Sequence, residues 1–152
     1  MVVWAALAAG LDLGSKWAAS VLHTQGTLPG LIVQTQNPAF SMGVASASRP
    51  VMIVLSLGFL LAFGGWCVHL AIAQRLAAWI PGLLIGGGLA NLADRVVFGA
   101  VHDWLRIGPI NYNIADFLVL AGVIGWVLAL TGRRARQVAD PPVRGPSSGV
   151  DP

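Results

Sequence analysis

The stretch VMIVLSLGFLLAFGGWCVHLAIA, from Val51 to Ala73, contains no Asp, Glu, Lys or Arg, and only Ser56 and His69 interrupt its apolar run. A bilayer core about 30 Å thick takes roughly 20 apolar residues per helix. Three further stretches reach that length, so the chain divides into helices at about 2–22, 51–73, 76–95 and 113–131. The expected fold is an all-α integral membrane protein with four transmembrane helices. Gln74-Arg75 is a very short connection, which makes the second and third helices an antiparallel hairpin. Pro81 then falls in the first turns of the third helix, where a missing N–H is tolerated.

Between these helices lie linkers at 23–50 and 96–112, and within the first Leu31 to Asn37 is β-branched and partly alternating, as a short strand is. Arg75, Arg133, Arg134 and Arg136 cluster at one set of helix ends, against Arg49, Arg95 and Arg106 at the other. Basic residues favour the cytoplasmic side, so both termini are expected inside and both linkers outside. Residues 133–152, rich in Pro, Gly and Ser from Pro141 on, read as a disordered cytoplasmic tail.

Composition agrees with lipid as the solvent: of 152 residues, 56% are hydrophobic and 10% charged. Nine basic residues against six aspartates, with no glutamate, do not form a dense cationic surface for nucleic acid. The single Cys67 reads as a buried small hydrophobe. The N-terminus opens on Val2-Val3-Trp4 without a basic region, so the first apolar stretch is expected to stay in the membrane rather than be cleaved.

Ionisable groups at membrane depth are costly and are functional candidates by default. Asp12 and Lys16 are spaced i, i+4 on one face of the first helix, as a catalytic support or as an ion pair holding helices together. Asn91, Asp94 and Arg95 share a face late in the third helix, and Asn113 and Asp116 share one early in the fourth. Because these helices run in opposite directions, Asp94 and Asp116 are expected at one depth. A single aspartate there could serve only a helix end, with Asn113 as its cap. Two carboxylates together in a low-dielectric site share a proton, so that one acts as base and the other as acid. Gly86-Gly87-Gly88 and the Gly10/Gly14 pair read as close helix packing. The three histidines are not spaced as metal ligands, and no metal or cofactor is expected.

Five segments together resemble the lipoprotein signal peptidase (signal peptidase II) family. They are Leu11-Asp12-Leu13-Gly14-Ser15-Lys16-Trp17, Asn37-Pro38-Ala39-Phe40-Ser41-Met42-Gly43, Gly87 to Arg95, Gly99-Ala100-Val101-His102-Asp103-Trp104, and Asn113-Ile114-Ala115-Asp116. The resemblance implies a small extracytoplasmic β-cradle from the 23–50 linker and a catalytic dyad of Asp94 and Asp116. Asp12, Lys16, Asn37, Asn91, Arg95 and Asn113 fall on the family's supporting positions. It further implies cleavage of the signal peptide from diacylglyceryl-modified prolipoproteins in the bacterial inner membrane, and inhibition by globomycin. Ala39 and Met42 depart from the family's usual residues. A proton- or ion-coupled transporter, with Asp12, Lys16 and the aspartate pair as a relay, is the rival reading, and a non-enzymatic assembly factor is the third.

Overall fold

In the computed structural model, residues 1–26, 28–38 and 48–139 are described. Four long helices appear among them: α1 (Val2–Thr24), α2 (Arg49–Ile72), α3 (Trp79–Phe98) and α4 (Ile114–Ala139). Within α2, the turn Leu60–Gly64 is π-helical. The helices follow the expected apolar stretches, with ends set by local chemistry. Pro50 occupies the first turn of α2, where a proline costs no hydrogen bond.

At its other end α2 closes with Gln74 at φ 58°, Arg75 N–H donating to the Leu70 carbonyl and Gln74 N–H to that of Ala71. This is a Schellman cap. The helix α3 therefore starts at Trp79 rather than at 76, because Leu76 first inserts into a core cluster with Cys67, Ile80 and Leu84. The same helix runs past 95 to Phe98 and stops at Gly99, whose φ of 83° suits a residue without a side chain. The last helix also outruns its expected end at 131: residues 133–139, assigned to a disordered tail, are helical, and the tail from 140 lies outside the described residues.

α3 packs between α1 and α4, and its glycines set the distance. A methyl group on Gly86 would lie 2.4 Å from the Ala5 carbonyl oxygen, and one on Gly87 would lie 2.9 Å from that of Ala115. Gly10 and Gly14, expected to pack in the same way, do not: a methyl at either meets nothing within 4 Å. They lie on an outward face of α1, so their spacing reflects no helix contact.

Large apolar side chains cover the outside of the bundle, with Val2 80%, Trp17 71%, Leu61 68% and Ile72 71% exposed. The spans Arg49–Ile72 and Ile114–Arg133 are long and apolar enough to cross a membrane. Polar groups are instead gathered inside, where Asp12, Asp94, Arg95, Asp103 and Asn113 are all buried.

A three-stranded antiparallel sheet caps this cluster, in the order β1 (Ile32–Asn37), β2 (Val101–Ile107), β3 (Ile110–Tyr112). The strand expected at 31–37 is β1. The sheet is not built from the 23–50 linker alone, however, since β2 and β3 come from the 96–112 linker that was read as loop. Val101 and Asp103 both face inward on β2. A carboxylate at an inward position breaks the alternation by which a strand is recognised. The segment 39–43, which completes the linker motif, lies outside the described residues.

Candidate active site

The polar cluster forms where the middle of α1, the end of α3, β2 and the start of α4 meet. Asn113 is its local organiser. Its side-chain oxygen accepts the Asp116 N–H at 3.0 Å, while its own N–H donates to Asp116 Oδ2 at 3.2 Å. This reciprocal cap is the arrangement favoured at a helix start. The anticipated capping role of Asn113 is therefore present, and it is not the residue's only one. Its side-chain amide also donates to Asp103 Oδ1 at 2.7 Å, so one fully buried residue links two carboxylates, Asp103 through its side chain and Asp116 through its backbone N–H.

Each of those carboxylates has a second amide donor. Asn37 Nδ2 donates to Asp103 Oδ2 at 2.9 Å, and Asn91 Nδ2 donates to Asp116 Oδ1 at 3.1 Å. The two aspartates are close enough to repel electrostatically, and the Arg95 guanidinium lies within reach of both. Burial pushes the Asp103 carboxyl above its ordinary range, against the opposing effect of hydrogen bonds from Asn37 and Asn113 and the charges of Lys16 and Arg95.

Asp94 belongs to a different part of the cluster. Lys16 Nζ lies 2.5 Å from Asp12 Oδ2 and 2.9 Å from Asp94 Oδ2, joining α1 to α3. Asp94 Oδ2 also accepts the His102 backbone N–H at 3.0 Å, which fixes the start of β2. Asp12 Oδ1 accepts the Ala115 N–H at 2.8 Å and so serves the first turn of α4. The i, i+4 pair of Asp12 and Lys16 thus forms an ion pair that also reaches α3 and α4. Arg95 Nη1 donates to the Asn91 carbonyl at 3.3 Å.

Two cavities reach the carboxylates, one at Asp116 and the other at Asp103. One, of about 320 Å³, is apolar along Phe59, Leu60, Phe63 and Leu84 and ends on Asn91, Arg95 and Asp116. The π-helical turn of α2 supplies part of its wall. The other, of about 240 Å³, is lined by Thr35, Asn37, Asp103 and Asn111 beneath the sheet. Among the described residues, no three His, Cys, Asp or Glu side chains are placed to hold a metal ion.

All eight site residues read from the sequence fall in this cluster, but they separate into two groups. Asp116 sits with Asn91, Arg95 and Asn113, and with Asn37 by way of Asp103, whereas Asp94 sits with Lys16 and Asp12. Between them lies Asp103, which the sequence reading quoted only as part of a matching segment. Its signal was an aspartate at an inward strand position, legible only once the strand itself is recognised.

The family model for signal peptidase (SPase) II matches residues 4–131. The chain belongs to this family. Among lipoprotein signal peptidases it is 34% identical to that of Methylorubrum extorquens over 53% of this chain and 48% of the relative. It is 28% identical to that of Solibacter usitatus over 78% of this chain and 82% of the relative. The chain thus spans about half the length of the first of these relatives. A solved bacterial membrane enzyme shares its fold with a TM-score of 0.68 at 20% identity, covering 96% of this chain and 93% of that one. A second shares it with a TM-score of 0.63 at 24% identity, covering 85% and 90%. The matched span, residues 4–131, contains the whole buried polar cluster.

Proposed function

We propose that this chain is an intramembrane aspartic endopeptidase that removes the signal peptide from diacylglyceryl-modified prolipoproteins, cleaving before the lipidated cysteine. The observation that carries this reading is the pair Asp103 and Asp116, bridged by Asn113 and each reached by its own cavity. For that reason we assign the dyad to Asp103 and Asp116 and move Asp94, the expected member, to a supporting role. Asp94 Oδ2 is already engaged by Lys16 Nζ at 2.9 Å and by the His102 backbone N–H at 3.0 Å. Asp103 and Asp116 instead accept from the amides of Asn37, Asn91 and Asn113, a setting in which one proton can be shared.

In the mechanism, the ionised member takes a proton from a water lying between the carboxylates as that water attacks the scissile carbonyl. The protonated member donates to the carbonyl oxygen. The resulting gem-diol intermediate collapses as the carboxyl that took the water's proton gives it to the departing amide nitrogen. The other carboxylate takes back a proton from a hydroxyl of the intermediate, so that the dyad again holds one proton. Asn37, Asn91 and Asn113 hold the carboxylates in orientation, and Arg95 offsets the charge. The apolar cavity beside α2 suits the hydrophobic signal segment, and the polar one beneath the sheet suits the water supply.

The same reading has four membrane spans, both termini cytoplasmic, the sheet on the extracytoplasmic face of the inner membrane, and sensitivity to globomycin. It is tested with purified protein and a diacylglyceryl-modified prolipoprotein. Asp103→Asn and Asp116→Asn keep size but lose the acid–base group, and turnover falls below detection in folded protein. Asp94→Asn retains part of the activity. Full turnover by Asp103→Asn would remove that residue from the dyad.

A further inference from the structure

At the other end of the bundle a groove of about 610 Å³ opens between the ends of α2 and α4, lined by Leu70, Arg75, Trp126, Val127, Leu130 and Arg133 among others. It lies roughly 25 Å along α4 from Asp116, at 1.5 Å per residue, and is separate from the active site. Its two cations lack acidic partners: among the described residues every aspartate belongs to the site cluster, and neither Arg75 nor Arg133 makes an ion pair. The Schellman cap of α2 brings Arg75 to the groove. Arg133 Nη2 spends one N–H on the Gln74 carbonyl at 2.9 Å, and among the described residues no other acceptor takes the rest of its five donors.

Position decides what that acceptor is. The two spans apolar enough to cross a membrane are Arg49–Ile72 and Ile114–Arg133, and the groove lies where both end. On the reading of these helices as bilayer spans, the arginines stand at the level of lipid phosphates, and the apolar wall below them at the level of acyl chains. A guanidinium fork matches a phosphodiester in two-point geometry, and basic pockets between helix ends are where anionic head groups bind. We propose that this groove seats one anionic phospholipid, its phosphodiester between Arg75 and Arg133 and an acyl chain along Leu70, Val127 and Leu130.

The test is native mass spectrometry of the full chain in detergent, with phosphatidylglycerol and phosphatidylcholine carrying identical acyl chains. The wild type is expected to retain phosphatidylglycerol preferentially. Arg75→Gln weakens that retention about fivefold, corresponding to one lost arginine contact, and leaves phosphatidylcholine retention unchanged. Arg75 is preferred to Arg133 because its side chain has no part in capping α2. Equal retention of the two lipids by the wild type would overturn the proposal. So would an equal loss in Arg106→Gln at the opposite end, or displacement of phosphatidylglycerol by millimolar inorganic phosphate. Prolipoprotein cleavage, read in parallel, does not enter the comparison, so a failure of the peptidase reading remains distinguishable.

Discussion

Replacing Asn113 by alanine tests the arrangement at its centre. The change removes a 2.7 Å hydrogen bond to the buried Asp103 carboxylate and the side-chain cap on the Asp116 N–H. A hydrogen bond to a charged group contributes about 1.5–3 kcal/mol, and loss of a cap costs about 0.5–2 kcal/mol. The variant is therefore expected to be about 2–5 kcal/mol less stable. If the first contribution is realised fully in the transition state, kcat falls about 10- to 150-fold, at 1.36 kcal/mol per factor of ten. Asn113→Ser separates the two roles: its hydroxyl can still accept at the helix end but cannot reach Asp103 as the amide does. Serine should recover the cap's share of stability while kcat stays low. The assays are chemical unfolding in detergent and steady-state cleavage of a diacylglyceryl prolipoprotein. Near-normal kcat in folded Asn113→Ala would refute the idea that this residue positions the dyad.

Three further outcomes follow from the same geometry. Burial raises the Asp103 carboxyl above its unfolded value. Its contribution to stability is therefore fully present below the unfolded pKa and lost as pH rises through the folded one. Melting curves from about pH 4 to about pH 8 should thus show Asp103→Asn gaining stability relative to wild type as pH increases. Lys16→Met leaves Asp12 and Asp94 buried without their shared cation, and breaking such an arrangement costs about 3–5 kcal/mol in equilibrium unfolding. Gly86→Ala puts a methyl 2.4 Å from a backbone oxygen that cannot move aside, costing about 1–3 kcal/mol, whereas Gly10→Ala meets nothing and should be neutral or stabilising. The two alanine variants are compared by thermal unfolding in one detergent.

Helices and candidate polar residues were legible because both signals are local. An apolar run long enough to cross a bilayer is visible without knowing its neighbours. An aspartate or lysine inside such a run is costly enough to announce a buried partner, as Asp12 and Lys16 do. The pairing of Asn113 with Asp116 was also within reach, since i, i+3 spacing at a helix start is set by helix geometry. Strand β1 could be read from its own β-branched residues.

Tertiary structure decided which carboxylates face each other. Asp103 accepts a hydrogen bond from Asn37, 66 residues away, through a sheet whose second strand is disguised by that inward aspartate. Asp94 and Asp116 share an end of the bundle, as their helix directions require, but depth does not determine partners. Lys16 reaches across from α1 to take Asp94, which leaves Asp103 as the carboxylate that Asn113 joins to Asp116. Helical spacing places groups on a face. Only the packing of α1 and β2 against that face determines which of them meets the Lys16 ammonium and which meet the amides of Asn37, Asn91 and Asn113.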